Sequence, residues 1–143
     1  MDIAKPYLLF LGDVRDQLAA KTASGIVDWR PEWCVGQLRL PNCQADCGLP
    51  DLTIAEARAR GAQTMVVGAV NAGGVLPDHW IASIVEALNA GLDVATGLHV
   101  RLASIPAIAE TAKANGRMLH DVRFSELTFA TGKGTKRPGL RIL

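Results

Sequence analysis

The sequence predicts an α/β fold: a Rossmann-like, doubly wound parallel sheet of about five strands, in the order 3-2-1-4-5. Three observations predict it. Short apolar runs alternate with stretches of helical spacing, as in a series of right-handed β-α-β units. The first and third runs, Tyr7 to Leu11 and Thr64 to Gly68, are almost uniformly apolar, the pattern of strands buried on both faces. Glycine or proline punctuates nearly every segment.

In chain order, the first strand stops at Gly12-Asp13, and a helix is expected from Thr22 to Arg30. Thr22 can cap it, and Pro31 lies just past its end. Cys34 to Leu40 is an alternating strand, with Val35, Leu38 and Leu40 broken by Gln37 and Arg39. Pro41, Gly48 and Pro50 make 41–52 a loop. Thr53 and Glu56 form a capping box for a short helix that ends at Gly61. After the third strand, a glycine-bearing loop from Gly68 to Gly74 leads to a helix starting at Pro77 or Asp78 and running to Asn89. Ile81, Ile84, Val85 and Leu88 share one face of that helix, and Gly91 closes it. Leu92 to Thr96 is the fourth strand, Pro106 to Asn115 the next helix and Arg117 to Asp121 the fifth strand. Residues 1–123 thus form one domain. Gly132 to Gly139 has the composition of a linker, and Leu140 to Leu143 reads as the opening strand of a second domain.

Composition narrows the function classes. The 143 residues are 49% hydrophobic and carry a net charge of +1, so a nucleic-acid partner is not expected. No apolar run approaches the roughly 18 residues of a membrane span, and the N-terminal apolar run lacks the features of a signal peptide. The expected compartment is the cytosol. Cys34, Cys43 and Cys47 are odd in number, so no disulfide framework is expected. Cys43 and Cys47, with Asp46 between them, fall short of the four ligands zinc requires, and no metal is expected.

Ligands of an open parallel sheet bind beyond the carboxyl ends of its strands. The residues falling there include Lys21 and Thr22, then Asn71, Gly73 and Gly74, then His99 and Arg101, then His120 and Arg123. Lys21, Thr22, Asn71, His99, Arg101 and His120 are expected to converge in one cleft. Lys21-Thr22 at a helix start either holds an anion or supplies a cap beside a solvated ammonium. The loop at Asn71, Gly73 and Gly74 either touches a ligand or makes a tight turn. His99 and His120 are the candidate catalytic acid and base, with a structural role as the other reading. His79, in a helix's first turn, is expected at the surface. Neither a Walker A loop nor G-x-G-x-x-G is present.

With these residues in place, the chain resembles a bacterial and archaeal family long described only as a domain of unknown function. That family has been loosely labelled NAD-dependent epimerase/dehydratase-like. Its members are associated with D-glutamate N-acetyltransferase activity. The resemblance rests on Lys21 to Val27, Leu40 to Asp51, Asn71 to Gly74, Gly97 to Leu102 and Leu119 to Arg123. It implies a small-molecule substrate, D-glutamate or a similar amino acid, that takes an acetyl group from acetyl-CoA. It also implies a P-loop-type C-terminal domain, beginning within 124–143, as the partner that holds acetyl-CoA. A homo-oligomer is expected, and the chain alone is expected to be inactive. For such a reaction His99 or His120 serves as base, while Arg101, Arg123 or Lys21 holds the substrate's carboxylates. Two other classes stay open: a nucleotide- or NAD-binding domain, and a structural or oligomerisation domain.

Overall fold

The computed structural model describes residues 3–70, 76–97 and 101–121. Five strands form one parallel sheet: β1 (Tyr7–Gly12), β2 (Cys34–Arg39), β3 (Thr64–Val67), β4 (Asp93–Thr96) and β5 (Leu119–Asp121). Helices α1 (Lys21–Trp29), α2 (Ile54–Ala59), α3 (Asp78–Asn89) and α4 (Pro106–Asn115) connect them in turn. This is the Rossmann-like α/β architecture the alternation predicts.

The strand order is 2-1-3-4-5 rather than 3-2-1-4-5. The third strand lies inside the sheet, between β1 and β4, and β2 takes the edge. Burial explains the exchange. Every residue of β3 is buried, whereas β2 buries only Gly36 and Gln37. A uniformly apolar strand needs neighbours on both sides, and an alternating one tolerates an edge.

Register fixes the two faces. Leu9, Val66, Ala95 and His120 are aligned across β1, β3, β4 and β5, so their side chains share one face. Phe10 points to the other, where its ring meets Trp80 of α3 edge-on at 5.4 Å. Right-handed crossovers place α1 on the first face and α2, α3 and α4 on the second. Contacts agree: α1 residues Thr22 and Ile26 border a groove with Val66 and Ala95, while α3 packs on α4.

The local chemistry is as the sequence implies at several ends. Thr53 Oγ1 accepts from Glu56 N–H, and Glu56 Oε1 accepts from Thr53 N–H, completing the capping box. Gly116 closes α4 in the left-handed conformation, φ 63°. Thr22, however, does not cap α1. That helix begins one residue earlier, directly from a 3-10 turn, Gln17–Ala20, which Asp16 caps by accepting from Ala19 N–H.

No helix among the described residues is long and apolar enough to cross a membrane.

Candidate functional site

The carboxyl ends of the strands carry the polar geometry. β1 ends at Gly12, whose φ of +61° favours glycine. A Cβ there would sit 2.3 Å from Trp80 Cζ2, so only a bare backbone lets the fully buried Trp80 indole lie against it. The contact brings the start of α3 to Asp13. Trp80 Nε1 donates to Asp13 Oδ1 at 2.8 Å, and His79 Nε2 lies 2.8 Å from Asp13 Oδ2. The indole N–H, and after it the imidazole, hold the Asp13 carboxyl below the usual carboxylate range. An ionised carboxylate can only accept, so Nε2 carries the hydrogen and Nδ1 of a neutral imidazole is a lone-pair acceptor. The His79 side chain is 56% exposed, the surface position the sequence predicts.

One strand over, the end of β3 meets the start of α1. Ala23 N–H donates to Gly68 O at 3.0 Å, and a Cβ on Gly68 would fall 2.6 Å from Ala23 Cβ. Lys21 is exposed in the first turn, and Thr22 borders the groove. At β5, Asp121 Oδ1 accepts from Leu102 N–H at 2.9 Å, tying the strand end to the 3-10 turn Leu102–Ser104. Arg101 is exposed at the head of that turn. His120 is buried at 8% exposure, on the face of Ala95. Asn71, Gly73, Gly74, His99 and Arg123 lie outside the described residues, as does the proposed linker from 124 onward.

The groove itself measures about 270 Å³ and is lined mainly by apolar atoms, among them those of Tyr7, Ile26, Trp29, Trp33 and Ala95. Arg30 lies 5.2 Å from the Trp33 ring and Lys5 4.2 Å from it, within cation–π range.

Residues 40–52 form a second polar assembly beside β2. Gln37 is only 1% exposed, and its whole amide is used. Nε2 donates to Asp46 Oδ1 at 2.9 Å and to Asp51 Oδ1 at 3.0 Å, while Oε1 accepts from Cys47 N–H at 2.9 Å. Arg39 grips Asp51 with two parallel hydrogen bonds, 2.9 and 3.0 Å. Gln37 chiefly, for Asp46, and Arg39, for Asp51, hold these carboxyls below their ordinary range. Among the described residues no group of three or more histidine, cysteine or acidic side chains is placed to hold a metal. All three cysteines are free, and burial pushes the Cys34 thiol up to about 11.

The sequence marks Gly12-Asp13 as the end of the first strand but does not join Asp13 to His79 and Trp80, which are 66 and 67 residues away. The available signal was His79-Trp80 opening a helix after an interior strand. The Gln37 network left a fainter trace, a buried-strand position filled by an amide.

The fold and edge define a Rossmann-like α/β domain with its polar groups at the carboxyl ends of a parallel sheet. Residues 38–125 match the model of a domain of unknown function, DUF1611_N, described as a Rossmann-like domain, and the chain belongs to that family. It is 50% identical over 141 residues to a D-glutamate N-acetyltransferase of Tritonibacter scottomollicae, covering 99% of this chain and 42% of the relative. It is 42% identical over 143 residues to a D-glutamate N-acetyltransferase of a Pseudoalteromonas species, covering 100% of this chain and 43% of the relative. The chain therefore spans less than half the length of these curated relatives. The crystal structure of a DUF1611 family protein from Anabaena variabilis superposes with a TM-score of 0.66 at 22% identity, over 83% of this chain and 36% of that one, and shares the fold.

Proposed function

We propose that this chain is the N-terminal domain of an N-acetyltransferase that moves the acetyl group of acetyl-CoA onto the amine of D-glutamate or a similar amino acid. The observation that carries the reading is the 50% identity, across 99% of the chain, to a protein named for that reaction. A further domain, of P-loop type, supplies the site for the nucleotide part of acetyl-CoA. The working protein is a cytosolic homo-oligomer, and this domain alone is inactive.

The chemistry asks this domain for two things: a clamp on the substrate's carboxylates and a proton acceptor for its amine. The start of α1 offers Lys21 and Thr22, and the turn after β4 offers Arg101, whose planar fork suits a carboxylate. Asn71, Gly73, Gly74, His99 and Arg123 belong to the same set of loops in the sequence, and His120 stands on β5. Acetylation of D-glutamate by the protein at its natural length, followed by mass spectrometry of the product, tests the reading. No N-acetyl-D-glutamate above a no-enzyme control would refute it. In the same assay Arg101→Ala is expected to weaken kcat/KM for D-glutamate by about 1.5–3 kcal/mol, the range for a hydrogen bond to a charged group. Unchanged kinetics would remove Arg101 from the clamp.

A further inference from the structure

We infer that Asp13 and His79 form the proton-accepting pair of the site, with His79 the catalytic base and Asp13 the residue that positions it; the inference rests on the acetyltransferase reading. The argument is geometric. A base needs a lone pair that faces solvent or substrate, a fixed tautomer and a partner for the cation it becomes. His79 has all three. Asp13 is fixed on both oxygens, by Trp80 Nε1 at 2.8 Å and His79 Nε2 at 2.8 Å. Trp80 is itself immobilised, fully buried between Phe10 and the bare backbone of Gly12. The carboxylate cannot rotate away without breaking the indole bond, so it holds Nε2–H and leaves Nδ1 of the half-exposed ring as the acceptor. Once His79 takes a proton, Asp13 stabilises the imidazolium.

Position supports the role. Asp13 directly follows β1, flanked in the sheet by β2 and β3, so the pair stands at the carboxyl edge where such sheets bind ligands. His120, by contrast, is 8% exposed within β5. A merely structural contact would need only the Trp80–Asp13 bond to join β1 to α3. The half-exposed imidazole adds little to that joint, since surface ion pairs contribute little.

The step balances. The substrate's ammonium loses one proton to His79 Nδ1, which releases it to solvent. The amine nitrogen bonds to the carbonyl carbon of the acetyl thioester, and the carbon–sulfur bond breaks. The second ammonium proton leaves with the thiolate as thiol, and the third stays on the amide nitrogen.

The test uses the protein at its natural length, with an acetyl thioester and D-glutamate. His79→Gly is expected to lower kcat by about 10²- to 10⁴-fold, with KM for D-glutamate changed less than threefold. Added imidazole should restore part of that loss, which no structural role explains. Asp13→Asn, which keeps the size and the indole bond, should lower kcat about tenfold or more with a similar KM, as expected when a base loses its orienting carboxylate. A wild-type protein without turnover refutes the acetyltransferase reading and this role with it. An active wild type whose His79→Gly variant keeps kcat within twofold, or falls without rescue by imidazole while its fold is intact by circular dichroism, overturns the pair alone.

Discussion

Beneath α2, α3 and α4 the sheet buries Phe10, Met65, Val94 and Trp80 to 3% exposure or less, whereas beneath α1 it opens a groove over β3 and β4 with Trp29 77% exposed at its rim. Three crossovers run along the face of α2, α3 and α4 and one along that of α1, so the former is closed by its own connections. The sealed face supplies the rigidity that positions Asp13. The open face also buries Leu9 and Ala95, but it leaves Trp29 at the groove's rim available for contact.

The largest effect should fall on the sealed face. Trp80→Ala removes a fully buried ring and the donor to Asp13, and should cost about 3–5 kcal/mol in urea unfolding. A cost below about 1 kcal/mol would break the comparison, because large-to-small changes in closed cores do not come that cheaply. Gln37→Leu should cost about 1–3 kcal/mol, because Cys47 N–H and two carboxylates lose a buried partner. A neutral outcome there would mean that residues 40–52 hold without it.

Acid sharpens the contrast more gently. Asp13, Asp46 and Asp51 are all held below their ordinary range in the folded chain. Each therefore stabilises the fold fully above the unfolded carboxyl value of about 3.9, and that contribution is lost as pH falls through the lowered folded value. The midpoint of thermal unfolding should stay level from about pH 7 to pH 5 and drop below pH 4, with Asp13→Asn flattening part of the drop. A midpoint that rises on acidification would contradict the sign. Smallest of all, Trp29→Ala should change stability by no more than about 0.5 kcal/mol, the usual range for a surface substitution. A loss near that of Trp80→Ala would show that the α1 face is as closed as the other.

Much of the fold was legible because local rules and tertiary packing agree. Tyr7 to Leu11 reads as an interior strand and is one; Thr53 and Glu56 read as a capping box and form both of its bonds. The strand order was less legible, since alternation says that strands are parallel but not which neighbours they take. The alternation of Gln37 and Arg39 in β2 did mark an edge, and the uniform β3 an interior place. At the site, topology pointed to the carboxyl edge. It could not pair Asp13 with His79, because contact across 66 residues depends on how Trp80 seats against Gly12. Gln37 was missed for a related reason: an amide on a strand looks solvent-facing until a returning loop covers it.

The three indoles also make the molecule its own optical gauge. Trp80 is enclosed and hydrogen-bonded to a carboxylate, Trp29 stands 77% in solvent, and Trp33 is partly covered with cations over its ring. Their emissions should separate by wavelength and by access to a dissolved quencher, with iodide dimming Trp29 and sparing Trp80. A molecule entering the groove would then shield the exposed fluorophore, while a proton landing on Asp13 would alter the enclosed one. A single unlabelled sample can thus report on the open face and the carboxyl edge at once, in two separable colours.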